Sequence, residues 1–289
     1  METYDHRGLS IAYDVSGQGE PMVLLHNGGM SRTIWRDVAP ILAQRNRVYA
    51  LDLLGFGDSA RPGTGCLLEH HIEIVDGFIR ALGLGPAALV GNCMGAAIAL
   101  SVAARRPETA YALVLMNPLT EATFRAGGLG TLLGLRRALP TFSMPVVGSI
   151  RRIDPPRMLH RRIIRMQLGA IGRKAGLDRD PDLCACYAGQ NQSRALVEIF
   201  DDLGSYGAAV DRFTPPLNFP PITSVWGLDN KMLSADAGRE LNKTLRPVTE
   251  EWLAGCGHLP MVEQPERVAA IIQTAVEAPR RAFAARSVP

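Results

Sequence analysis

Two residues have the type and setting for covalent chemistry at a carbonyl group: Cys93, in Gly91-Asn92-Cys93-Met94-Gly95, and His258, in Gly257-His258-Leu259-Pro260. A thiol attacks as its thiolate, and a neighbouring imidazole can take the proton, so such a pair would add to an acyl carbon. The pentapeptide follows the apolar run Ala87-Ala88-Leu89-Val90 and opens the small-residue run that begins at Met94. That places Cys93 on a sharp strand-to-helix turn, with glycine on either side where strand and helix approach closely. A buried cysteine is often only a small apolar filler, and the motif alone leaves that reading open.

The elements that must position these residues alternate along the chain. Residues 9–15 alternate as a half-buried strand and end in Ser16-Gly17-Gln18-Gly19, while 22–25 is a continuous apolar strand buried on both faces. The spacing predicts a helix capped by Ser31 and running through Trp35, Val38, Ile41 and Leu42, then a strand over 48–52 and a helix over 72–82. Further strands are expected over 111–116, 222–226 and 248–253, with helices over 235–245 and 266–276. This rhythm implies an α/β architecture with a mainly parallel sheet covered on both faces. It breaks over 120–219, which ends in the stiff Pro215-Pro216-Leu217-Asn218-Phe219-Pro220-Pro221. The expected organisation is a core of residues 1–119 and 220–289, with a helical cap of 120–219 over the carboxyl ends of the strands, where open α/β sheets place their sites.

At 289 residues and 47% hydrophobic content the chain can bury one large core. No apolar run reaches the roughly 18 residues needed to span a bilayer, and the first residues lack a signal peptide's apolar region, so a cytoplasmic protein without a membrane partner is expected. Five cysteines at irregular spacings form no disulfide framework. Cys184-x-Cys186 is too close and isolated for a zinc site, and neither metal nor cofactor is expected. The net charge of +3 conceals ten basic residues between 136 and 174 (Arg136, Arg137, Arg151, Arg152, Arg157, Arg161, Arg162, Arg165, Arg173 and Lys174) against the single acid Asp154. They form either a solvated helical face or a positive rim for an anionic substrate, such as a coenzyme A thioester or an acyl group on an acidic carrier protein. Almost no aromatics interleave with them, which argues against nucleic acid.

Four segments resemble those of the α/β-hydrolase fold superfamily, with cysteine in place of the nucleophilic serine. They are Leu25-His26-Asn27-Gly28-Gly29 followed by Trp35, Asp52-Leu53-Leu54-Gly55-Phe56-Gly57-Asp58-Ser59, the Cys93 pentapeptide, and Gly257 to Pro265 around His258. The resemblance covers residues 8–118 and 220–278, and the cap matches in position alone. It implies a catalytic triad in the chain order nucleophile, acid, base, met here by Cys93, a carboxylate near 229, and His258. It also implies an oxyanion hole from the Met94 N–H and one at Gly28 or Asn27, with His26 supporting that loop. Asn27 replaces a glycine common in the family and either contacts the substrate or braces the loop. The family's Trp-Gly-x-x-Asp reads here Trp226-Gly227-Leu228-Asp229-Asn230. Either a turn one residue shorter delivers Asp229 to His258, or Asn230 orients the histidine in a Cys-His-Asn arrangement like that of papain-like enzymes.

The implied activity is hydrolysis or acyl transfer on an ester, thioester or lactone, a small-molecule acyl compound of the kind found in secondary metabolism. The alternative is a lyase that eliminates a carboxylate such as acetate from an acylated, tetronate-type intermediate; a third reading is a non-catalytic ligand-binding protein. Asn92 resembles the G-N-S-M-G elbow of carbon–carbon bond hydrolases, but without the serine that activity does not carry over.

Overall fold

The computed structural model describes residues 1–128, 130, 157–187 and 192–286. Eight strands among these form one sheet: β1 (Glu2–His6), β2 (Leu9–Ser16), β3 (Glu20–Leu25), β4 (Asn46–Leu51), β5 (Ala87–Asn92), β6 (Ala110–Met116), β7 (Ile222–Gly227) and β8 (Thr249–Leu253). Their order is β1-β2-β4-β3-β5-β6-β7-β8. β1 to β2 and β2 to β4 are antiparallel and every other pairing is parallel. The continuous apolar runs follow from this arrangement. Along β3, Val23 and Leu25 point into one apolar layer and Met22 and Leu24 into the other, so both faces need apolar residues.

Three elements differ from the sequence expectation. β1 is an added edge strand; it buries little, so Glu2-Thr3-Tyr4-Asp5-His6 carries no apolar run to announce it. The helix expected from Ser31 to Leu42 is instead a 3₁₀ turn (Arg32–Trp35) and a short helix (Ala39–Leu42). Pro40 has no N–H to continue a helical ladder and starts the second piece. The last helix runs over Pro265–Arg286, beyond the expected end. Between β6 and β7 lies the inserted helical region, with no strand among its described residues. No helix among the described residues is long and apolar enough to cross a membrane.

The junction between β5 and the helix Met94–Arg105 is where the sheet delivers Cys93. Its backbone has φ 54° and ψ −110°, a left-handed region that side chains rarely occupy. A Cβ on Gly91 would lie 2.3 Å from the Gly95 carbonyl carbon, and one on Gly95 would lie 2.3 Å from Leu25 O. These glycines are therefore required by backbone contact. Gly95→Ala is expected to lower stability by roughly 3 kcal/mol in urea unfolding, because the helix must lift from β3; a loss under about 0.5 kcal/mol would contradict this packing account.

Candidate active site

Cys93 is 8% exposed and lines a cavity of about 360 Å³. Burial pushes the thiol up to about 12, while the backbone N–H groups of Met94 and Gly28 bond toward the sulfur and favour its anion. Of the two expected sources for the second donor, Gly28 supplies the N–H. The loop that carries it is braced by His26: Nε2 accepts from Leu53 N at 2.8 Å, so the other ring nitrogen donates to Asn27 O at 2.8 Å. Asp52, fully buried, accepts from Arg32 N and Asp58 N and pairs with the Arg32 guanidinium, fixing the next loop.

His258 lines the same cavity, and burial pushes its imidazole down to about 3. At rest the pair is a neutral thiol and a neutral ring. Asn230 is the side chain that meets His258, with Nδ2 3.1 Å from Nδ1. The turn after β7 keeps its full length, Asn230 N bonding to Gly227 O at 3.2 Å, so position 230 faces the ring. This corrects the shorter-turn expectation for Asp229. Its carboxylate turns away, accepting from Ala170 N at 2.9 Å and lying 3.8 Å from Arg173.

The amide of Asn230 has a fixed direction. Its Oδ1 accepts from Met232 N at 2.9 Å and Leu233 N at 3.2 Å, which leaves the NH₂ end for the histidine. Nδ1 must then accept, and the ring hydrogen sits on Nε2. The amide thus meets the ring as a donor and not as an acceptor, and Nε2 is the ring nitrogen left to donate.

Other amides hold the loops together. Asn92 Nδ2 donates to His258 O at 3.0 Å and its Oδ1 accepts from Asn117, whose own Oδ1 accepts from Gly227 N at 3.0 Å. Asn27 braces: its Nδ2 donates to Gly28 O at 3.2 Å and to Gln167 Oε1 at 3.1 Å. Buried Glu263 accepts from Gly257, Gly169 and Gly172 N–H groups, tying the His258 loop to the inserted region. Gln167 and Asn117 have no motif around them that would single them out in the sequence. Glu263 does fall within the quoted histidine segment.

The cavity is walled by apolar side chains, among them Phe124, Leu159, Ile163, Met166 and Phe200. Leu159, Ile163 and Met166 share one face of the helix Arg157–Gln167. Arg161, Arg162 and Arg165 are exposed, and Arg161 and Arg165 each lie 3.6 Å from Asp178. No charged side chain lines the cavity among the described residues. These arginines stand on the solvent side of the helix and do not line the cavity; Arg136, Arg137, Arg151 and Arg152 lie outside the described residues.

A parallel sheet with a strained strand-to-helix turn, two converging backbone donors and a histidine loop defines a class of enzyme scaffold. The chain belongs to the alpha/beta hydrolase family, whose model matches residues 22–271. It is 41% identical over 114 residues to the 2-hydroxy-6-oxo-6-(2'-aminophenyl)hexa-2,4-dienoic acid hydrolase of Metapseudomonas resinovorans, a stretch covering 38% of this chain and 39% of that relative. It is 27% identical over 252 residues to the 2-hydroxy-6-oxo-2,4-heptadienoate hydrolase of Pseudomonas putida, covering 86% of each. Among solved structures, a thermophilic esterase from Thermogutta terrifontis superposes with a TM-score of 0.76 at 21% identity, over 96% of this chain and 97% of that one. That likeness shows the fold.

Two outcomes follow from the neutral pair. Alkylation of Cys93 by iodoacetamide, read on its peptide by mass spectrometry, should rise about tenfold per pH unit from pH 7 to 10, since a thiol held up near 12 is almost wholly protonated there. A rate already flat at pH 7 would mean a preformed thiolate. Asn230→Asp places an acceptor against Nδ1, moves the ring hydrogen there and frees Nε2 as a base. The alkylation rate at pH 7 should then increase at least about tenfold; an unchanged rate would contradict the assigned tautomer.

Proposed function

We propose that this chain acts at the carbonyl of an apolar, uncharged acyl compound, with Cys93 receiving the acyl group and the Met94 and Gly28 N–H groups holding the carbonyl oxygen. The observation that carries this reading is the convergence of those two donors on the Cys93 sulfur within a cavity whose described lining is free of charge. Thiol addition forms a carbon–sulfur bond, the bond to the leaving group breaks, and the thiol proton ends on that group. Both hydrolases above are named for dienoic acids or dienoates. A carboxylate of that kind would find no cation among the described lining residues, and burying it unpaired is costly. Neutral esters, thioesters and lactones fit instead. Because His258 presents a hydrogen on Nε2, it supports charge on a departing oxygen more than the attack of an incoming nucleophile, water included.

The same tautomer supports a second reading, the lyase. A neutral imidazole N–H can stabilise charge developing on oxygen; in an elimination the carbon–oxygen bond to the acyloxy group would break, the neighbouring carbon would lose its proton to the departing carboxylate, and His258 would hold that oxygen while the alkene forms.

A panel of neutral and carboxylate-bearing thioesters tests the primary reading. Intact-mass spectra should show the acyl group on Cys93 with neutral members only, and Cys93→Ala should remove the adduct and lower kcat/KM at least about a hundredfold. Full turnover by Cys93→Ala without an adduct would end the covalent reading. In water carrying heavy oxygen, label in the released acid marks hydrolysis, and its absence with an alkene product marks elimination.

A further inference from the structure

The inserted region lays one helix, Gln192–Asp201, on the loop that carries the Gly28 donor. A Cβ on Gly28 would lie 3.2 Å from Leu196 Cδ2 and 3.4 Å from Ile199 Cδ1. One on Gly29 would lie 3.4 Å from Leu196 Cδ1 and 3.0 Å from Tyr187 Oη. Leu196 and Ile199 are three residues apart and share a helix face, and both line the cavity together with Gly28 and Cys93. Their methyl groups stand against the loop at the residue that offers its N–H. One more carbon between them and Gly28 would have to displace one of the two side chains.

The helix that carries this wall is fixed to the core. Ala195 packs on Gly55, where a Cβ would come within 2.7 Å of the Ala195 methyl. Glu198 accepts from Gly65 N at 3.0 Å and Cys66 N at 2.8 Å, and Asp202, just past the helix, accepts from Leu68 N at 2.8 Å. Ile199 is buried, and a β-branched side chain has one preferred rotamer in a helix. Such a wall gives way to an added methyl group only at a cost. A carbonyl oxygen bonded to the Gly28 N–H lies about 2.9 Å from that nitrogen. The reacting carbon, one C=O bond further on, falls within about 4 Å of it, so its first substituents meet the methyl groups of Leu196 and Ile199.

We infer that Leu196 and Ile199 are specificity-determining residues, which confine the substrate to acyl groups unbranched at the carbon next to the reacting carbonyl. The substrate class narrows from apolar acyl compounds in general to those with a methylene at that position. This rests on the proposed placement of the carbonyl at Gly28, but its test reads binding alone.

The probes are S-octanoyl-N-acetylcysteamine and S-(2,2-dimethyloctanoyl)-N-acetylcysteamine, both uncharged thioesters that differ by the methyl groups on that carbon. Affinities are measured by calorimetry in a Cys93→Ala background, where no thiol can take the acyl group. The straight thioester should bind at least about tenfold more tightly. Leu196→Ala and Ile199→Ala should each narrow this ratio and together bring the two affinities to within about twofold. Gly28→Ala reads the same space from the other side. Gly28 lies outside the left-handed region, so alanine keeps the backbone N–H and adds a methyl group against the wall. The ratio should then widen at least about threefold, and Leu196→Ala in that background should reverse the change. Leu159→Ala opens the cavity on the other helix and should leave the ratio as it was; a fall as large as that in Leu196→Ala would mark general loosening and overturn the inference. Equal binding of the two thioesters by the Cys93→Ala chain, or a ratio that either Gly28→Ala or the paired alanine variant leaves unmoved, would also overturn it. An acyl group on Cys93 of the parent chain together with equal binding would uphold the proposed chemistry and overturn this inference alone, whereas unequal binding without an adduct would do the reverse.

Discussion

The contact between the end of β5 and the start of the following helix is the constraint on which the site depends. With Gly91 against Gly95 and Gly95 against Leu25 O, the backbone closes to a distance at which no side chain fits. That closeness forces Cys93 into its unusual conformation and aims the Met94 N–H at its sulfur. It also brings the elbow against the end of β3, from which the Gly28 loop leaves. Two donors from two separate loops thus meet at one atom because three backbone segments share one tight contact. Strain at Cys93 is held there by the parallel pairings of β5 to β3 and β6 on either side.

Around that contact the site is organised by neutral groups. A thiol in a dry cavity stays protonated unless an opposite charge is supplied, and the imidazole beside it stays unprotonated for the same reason. Where the wider family is expected to place an acid, Asn230 supplies an amide. The amides of Asn92 and Asn117 then fasten the His258 loop to β5 and β7 without adding charge. The carboxylate of Glu263, tied to the His258 loop, is matched by three backbone N–H groups, and that of Asp52 by two backbone N–H groups and Arg32.

Much of this was legible in the sequence, and the pattern of what was not has physical causes. The parallel strands are announced by unbroken apolar runs because each is buried on both faces. The elbow is announced by its glycines because no other residue fits. β1 was hidden because an edge strand needs no apolar signature. Position 230 was ambiguous because a turn's length is decided by backbone hydrogen bonds, and Gly227 with Asn230 closes it in a way that side-chain types do not reveal. The polarity of the Asn230 amide depends on the N–H groups of Met232 and Leu233, which any residues at those positions would provide. Gln167 and Tyr187 sit in the inserted region, where apolar cavity walls impose no spacing that a motif would capture.

An amide differs from a carboxylate in having direction as well as no charge. A carboxylate accepts at both oxygens and lets protons settle wherever its neighbours place them. An amide fixed at one end dictates the proton at the other, so the backbone N–H groups of Met232 and Leu233 determine which nitrogen of His258 carries hydrogen. Beside these fixed amides, the described lining of the cavity around Cys93 carries no charged side chain.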